Sequence, residues 1–152
     1  MKLISDSFSA NSMIPIKFSC EGAGISPSLK WEDAPQETQS FALIVDDPDA
    51  PNRTFVHWVL YDLPHYTHNL PEAIPHTPIL DGNGIQGKND ADQFGYFPPC
   101  PPQGTHRYFF KLYALNRFLG LDYGATKAEV EAAMSGHILA TAELIGKYQK
   151  HR

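Results

Sequence analysis

The run His106–Leu115, HRYFFKLYAL, leaves this chain few alternatives. Ten residues rich in aromatic and aliphatic side chains, with no proline or glycine among them, fit an extended strand. Ser40–Val45 (SFALIV) and Thr54–Asp62 (TFVHWVLYD) are of the same kind, and Ile14–Cys20 is a fourth candidate. Thirteen prolines and eleven glycines in 152 residues favour frequent turns over a helical bundle. The expected fold is therefore mainly β, an antiparallel β-sandwich, in a single domain over residues 1–152.

The C-terminal part reads differently. Thr126-Lys127-Ala128-Glu129 fits a capping box, in which the Thr side chain and the Glu three residues on satisfy the first free amides of a helix. Val130, Met134, Ile138, Ile145 and Tyr148 then recur at helical spacing, with Gly136 dividing two segments. C-terminal helices docked at one end of the β core are expected.

Charge excludes some partners. Twelve Lys and Arg against seventeen Asp and Glu leave a net charge of −5, which disfavours nucleic acid and anionic membrane surfaces. A small phosphorylated ligand in a local pocket is compatible with it. The opening stretch MKLISDSFSANSM lacks the apolar core of a signal peptide, and no run has bilayer-spanning length. A cytoplasmic protein is expected. Cys20 and Cys100 form no metal-binding spacing; reduced thiols are the simpler reading, a single disulfide the alternative.

Gly82-Asn83-Gly84-Ile85-Gln86-Gly87 matches the dinucleotide-binding pattern GxGxxG. That mechanism needs a helix to open after the glycines, and KNDADQFGYFPP cannot supply one. Turn or bulge glycines are the better reading. Pro64–Pro102 carries eight prolines and should wrap the sheets as loops with short hairpins, a length of irregular chain that is often functional.

Strict alternation puts His57 on one face with Phe55, Val59 and Tyr61, and Trp58 on the other; His106 shares a face with Tyr108, Phe110 and Leu112. Taken singly, each candidate has an ordinary role. A strand histidine fills a core or rim, Asp47 and Asp49 brace a turn, and Pro101 and Pro102 stiffen a loop. Arg107 suits an ion pair with a turn aspartate as well as it suits a ligand. GxSxG, HExxH and P-loop motifs are absent, and no spacing favours a metal, so neither metal nor cofactor is expected.

In combination these elements resemble the phosphatidylethanolamine-binding protein family, in its bacterial and archaeal, Raf-kinase-inhibitor-like branch. The matching residues run almost end to end. They are Cys20-Glu21-Gly22 and Ser26-Pro27-Ser28-Leu29-Lys30-Trp31, then Asp47-Pro48-Asp49-Ala50-Pro51, then Phe55-Val56-His57-Trp58-Val59-Leu60-Tyr61. Cys100-Pro101-Pro102 with Gly104, His106-Arg107-Tyr108 and Gly136-His137 complete the set.

The resemblance implies a sandwich with a small anion pocket at one end. Asp47, His57, Pro102 and His106 would line it, supported by Asp49, Cys100, Arg107 and Tyr108. Imidazoles and the backbone amides of the Phe97–Pro102 loop would receive phosphate, phosphoethanolamine-like or carboxylate groups. The loop before His106 is shorter than in eukaryotic members, only five residues separate DPDAP from His57, and FPPCPP stands where bacterial members carry a glycine-rich stretch. The expected function is non-enzymatic ligand binding, with no catalytic residue and scope for a protein partner or a homodimer. Alternatives are inhibition of a kinase or protease, and a small hydrolase using His57 and His106 as acid and base.

Overall fold

Residues 1–82 and 84–151 are described by the computed structural model. Ten elements follow one another: β1 (Lys2–Ile4), a 3-10 turn (Ile16–Phe18), β2 (Leu29–Glu32), β3 (Ser40–Asp47), β4 (Phe55–Pro64), β5 (Asn69–Leu70), β6 (Ile85–Gln86), β7 (His106–Leu115), α1 (Lys127–Met134) and β8 (Ile138–Tyr148). They build two sheets, one of three strands in the order β1-β2-β5 and one of five in the order β6-β4-β3-β7-β8. Every neighbouring pair is antiparallel.

The central strand β3 is buried along its whole length, which explains its unbroken apolar run. Phe41, Leu43 and Val45 point toward the small sheet and join Trp58, Tyr108, Phe110, Leu29 and Trp31 in the main core. Ala42 and Ile44 point the other way and pack with Val59, Tyr61 and the Val130 and Met134 side chains of α1. Full burial of each large apolar side chain contributes about 1.5–3 kcal/mol, so both faces of β3 stabilise the fold.

The capping box at α1 forms in full: Thr126 accepts from the Glu129 amide, and the Glu129 carboxylate accepts from the Thr126 amide. The second expected helix does not form. Residues 138–148 make β8, which pairs with β7 from His106↔Tyr148 to Leu115↔Ile138. The spacing of Ile138, Ile145 and Tyr148 suggested a helix, but burial follows period two through Leu144, Gly146 and Tyr148. Cross-strand pairing outweighed the local pattern, leaving one α-helix among the described residues, which lies against the outer face of the five-stranded sheet.

Ile14–Cys20 also departs from expectation. Pro15 lacks an amide hydrogen for a sheet ladder, and the chain turns as a 3-10 segment closed by the Ser19 amide on the Ile16 carbonyl. Cys20 and Cys100 are joined by a disulfide across 80 residues, which corrects the expectation of reduced thiols.

The glycine pattern belongs to the β5–β6 region and not to a nucleotide site. Gly84 adopts φ +87°, and a Cβ on Gly87 would stand 2.1 Å from the Ala125 carbonyl oxygen. Asn83, within the same motif, lies outside the described residues. Among the described residues no helix is long and apolar enough to cross a membrane.

Candidate functional site

The site begins where β3 runs out into two prolines. Asp47 Oδ1 accepts the Asp49 amide at 2.8 Å, an Asx turn that Pro48 and Pro51 bracket. Asp47 Oδ2 accepts from His106 Nδ1 at 2.6 Å, and both side chains are almost wholly enclosed. This is a charge-assisted bond within a dry environment, and it ties β3 to the first residue of β7.

Asp49 makes the neighbouring tie. Its carboxylate accepts from the Arg107 amide, Nε and Nη2 at 2.8–2.9 Å. The Arg107 guanidinium holds the Asp49 carboxyl down at about 2, well below its ordinary value. Arg107 is thus engaged with the turn and does not line the cavity described below. Asp46, one residue earlier, faces the opposite side of the sheet and meets Lys111 at 3.3 Å and Lys127 at 2.8 Å.

His57 reaches the same end of the sheet through a bulge. Val45 pairs with Trp58 and Asp46 with Val56, so His57 is the extra residue on β4. Alternation fails there. Trp58 lies in the core between the sheets while Val59 and Tyr61 pack under α1, and His57 is turned toward Asp47 and Tyr108. The face expected for His57, with Val59 and Tyr61, is therefore wrong; its grouping with Phe55 is right. A bulge residue leaves no mark in the hydrophobic pattern.

His57 Nδ1 meets the Phe97 carbonyl oxygen at 2.7 Å, and the Phe97 amide donates to the His57 carbonyl at 2.9 Å. This reciprocal pair fixes the ring and the start of the Phe97–Pro102 loop together. Phe55, Phe97 and Tyr108 surround the imidazole at centroid distances of 4.9, 5.9 and 5.1 Å. Burial in that aromatic cage pushes the His57 pKa below its ordinary value, against the opposing pull of the Phe97 carbonyl and of Asp47. Burial also pushes the Tyr108 phenol up, so it keeps its proton at neutral pH.

Asp47, Ala50, Pro51, Phe55, His57, Phe97, Cys100–Pro102, His106 and Tyr108 enclose a cavity of about 140 Å³. A liquid water takes about 30 Å³, so this space suits a group the size of a few waters. Asp47, His57, Pro102 and His106 come together as expected, and Cys100 and Tyr108 join them. Phe97 stands at the rim as expected of its loop, its ring adding a wall, while Phe55 was not expected among the cavity walls.

The loop departs from expectation in one respect. Four of the six residues Phe97–Pro102 are prolines without an amide hydrogen, and the Phe97 amide is engaged with His57. The rim offers the cavity few backbone donors. A larger groove of about 620 Å³ lies elsewhere, between Leu63, Tyr66, Leu70, Ile74 and Ile79, and contains none of the expected residues.

This geometry defines a sandwich protein with a small two-imidazole cavity beside a turn of aspartates and prolines. Residues 4–149 match the family model described as phosphatidylethanolamine-binding protein, and the chain belongs to that family. The UPF0098 protein of Methanothermobacter thermautotrophicus is 45% identical over 150 residues, covering 99% of both chains. That of Aquifex aeolicus is 49% identical over 153 residues, covering 99% of this chain and 89% of its own.

Solved structures agree. The crystal structure of a phosphatidylethanolamine-binding protein homologue from Chlamydia trachomatis superposes with a TM-score of 0.91 at 44% identity, covering 99% of this chain and 97% of the other. Escherichia coli YbcL, described as a member of the mammalian family, gives 0.89 at 30% identity, covering 99% and 98%.

Proposed function

We propose that this protein is a non-enzymatic binder of small oxyanions, phosphate monoesters of the phosphoethanolamine kind foremost, and that its site is the His57–His106 cavity. The observation that carries the reading is the shared commitment of the two rings. Each imidazole has Nδ1 held by an acceptor of the fold, Phe97 O for His57 and Asp47 Oδ2 for His106, within one cavity. Such anchoring orients the remaining nitrogens toward a ligand and removes the rotamer entropy that binding would otherwise cost.

The inventory of lining groups supports binding over catalysis. Cys100, the one cysteine in the lining, is disulfide-bonded to Cys20 and offers no thiol, and the Tyr108 phenol holds its proton. A protein partner or a homodimer is a further part of this reading, resting on family likeness alone. A cytoplasmic location predicts both cysteines reduced in the cell, whereas the bonded form belongs to an oxidising compartment; thiol alkylation in intact cells reads which.

The test is a titration of the imidazole NMR signals with inorganic phosphate and with O-phosphoethanolamine. Both ligands should shift the His57 and His106 resonances, and His57→Ala should remove the response. Signals unmoved at millimolar ligand would refute the proposal. Turnover of a phosphoester panel that disappears in His106→Ala would replace it with a hydrolase.

A further inference from the structure

We infer that the cavity recognises an oxyanion by a proton that arrives with it: the bound species is the hydrogen-bearing monoanion, held by an imidazole Nε2 acceptor. This deepens the binding proposal above and rests on it.

The Nδ1 of His106 faces a carboxylate oxygen and the Nδ1 of His57 a carbonyl oxygen, both pure acceptors. Each Nδ1 therefore carries the hydrogen, and in the neutral ring each Nε2 is left as a lone pair. Neither Nε2 has a protein partner. Among the described residues the only enclosed side-chain nitrogen or oxygen without one is Trp31 Nε1, so both Nε2 atoms remain reachable from outside.

Donors are scarce on the same wall. No Lys or Arg lines the cavity, because Arg107 is engaged with Asp49. Pro51, Pro101 and Pro102 have no amide hydrogen, and the Phe97 amide serves His57, which leaves the Ala50 and Cys100 amides as the backbone donors on the two lining loops. The Tyr108 hydroxyl is the one side-chain donor left among the lining groups when both rings are neutral.

A phosphate monoester that retains an O–H donates it to one Nε2 and accepts from the Tyr108 hydroxyl, and the other Nε2 lone pair is left to solvent. The wall does not complement a fully deprotonated oxyanion, which would set its oxygens against the Nε2 lone pairs. When the dianion is offered from solution, a proton must bind with it, on the non-bridging phosphate oxygen that faces an Nε2 lone pair.

The surrounding charges bear on which group takes that proton. His57 feels the charge of Asp47 within the cavity and of Asp46 and Asp90 outside it, with Tyr108 of β7 against its ring. Around His106 stand Asp47, the Asp49–Arg107 pair one residue on, and Tyr148 across the β7–β8 ladder. Cys100 is bonded and does not titrate. For His57, burial is the larger influence and favours the neutral ring, against the pull of the carboxylates toward the cation.

A matched pair of ligands separates the possibilities. O-Phosphoethanolamine has a second ionisation like that of other phosphate monoesters, near pH 6. Ethanolamine O-sulfate has the same body and no oxygen that holds a proton in this range. Calorimetry of the intact, oxidised protein at pH 7.5, in two buffers of different ionisation enthalpy, counts the protons taken up.

The expected result is uptake of about one proton per phosphoester, and an affinity that falls about tenfold per pH unit above pH 7. At pH 7.5 the sulfate ester should bind at least about tenfold more weakly, as an unmade buried hydrogen bond implies. His57→Gln, which supplies fixed amide donors, should narrow that preference. Equal affinities with no proton uptake would overturn the inference and leave the binding proposal standing. Failure of both ligands to bind from pH 5 to pH 8 would overturn the two together.

Discussion

Removing Asp47 tests the architecture of the site most directly. Asp47→Ala deletes two bonds at once, one from His106 Nδ1 at 2.6 Å and one from the Asp49 amide at 2.8 Å. A hydrogen bond to a charged group contributes about 1.5–3 kcal/mol, and the part-buried bond from the Asp49 amide lies at the low end of that range. Asp47 and His106 are 3% and 7% exposed, so solvent screens little of this, and the His106 N–H is left enclosed without an acceptor. The expected loss is about 3–4 kcal/mol.

With a urea m-value of about 2 kcal/mol/M, that loss lowers the unfolding midpoint by about 1.5–2 M. Thermal unfolding should fall by about 6–16 °C for a chain of this size. The pairwise part comes from a cycle of Asp47→Ala, His106→Ala and the double variant, unfolded in urea without reductant. A coupling of about 1.5–3 kcal/mol is expected. Coupling below about 0.5 kcal/mol would mean that the carboxylate does not hold the imidazole, and the reasoning for both proposals would fail.

Three further outcomes follow from other parts of the molecule. Burial lowers the His57 pKa, so the neutral ring stabilises the fold fully above its unfolded value of about 6.5, and that contribution is lost as pH falls toward the folded value. Urea midpoints should therefore drop between pH 7.5 and pH 5 more steeply in the wild type than in His57→Gln; parallel curves would contradict it. Cys20→Ser opens a loop of 80 residues, for which chain entropy predicts a loss of about 4 kcal/mol, and a change under about 1 kcal/mol would show that the bond does not form. Gly87→Ala drives a methyl against the Ala125 carbonyl and the Val59 side chain, and should cost about 1–3 kcal/mol by calorimetry; a neutral effect would mean that this contact relaxes freely.

Strands whose burial pattern follows from their own residues were legible from the sequence. The bounds of β7 match the expected His106–Leu115, and β3 and β4 extend the expected runs by a few residues at most. Lys127–Met134 was legible too, because its capping box is a local device. Two kinds of information were not legible. Residues 138–148 carry an ambiguous period, and only the partner strand β7 decides it. Short strands such as Lys2–Ile4 and Asn69–Leu70 have too few residues to show any period.

The same division runs through the site. Asp47 and His106 were brought together in the sequence only by the family resemblance, and the facing of His57 depends on a bulge that no alternation rule contains. The poverty of donors at the rim was written in FPPCPP from the start, but it gained meaning only once the Phe97 amide was seen engaged with His57.

The bulge at His57 makes strand length a property of the site. Deleting one residue between Phe55 and His57 would leave nearly the same composition and hydrophobicity, yet it would restore regular alternation and swing the register of one face onto the other. A two-residue change would preserve the facing and shift only the position along the strand. Gene variants of this stretch should therefore tolerate substitution at Phe55 or Val56 far better than any single-codon insertion or deletion.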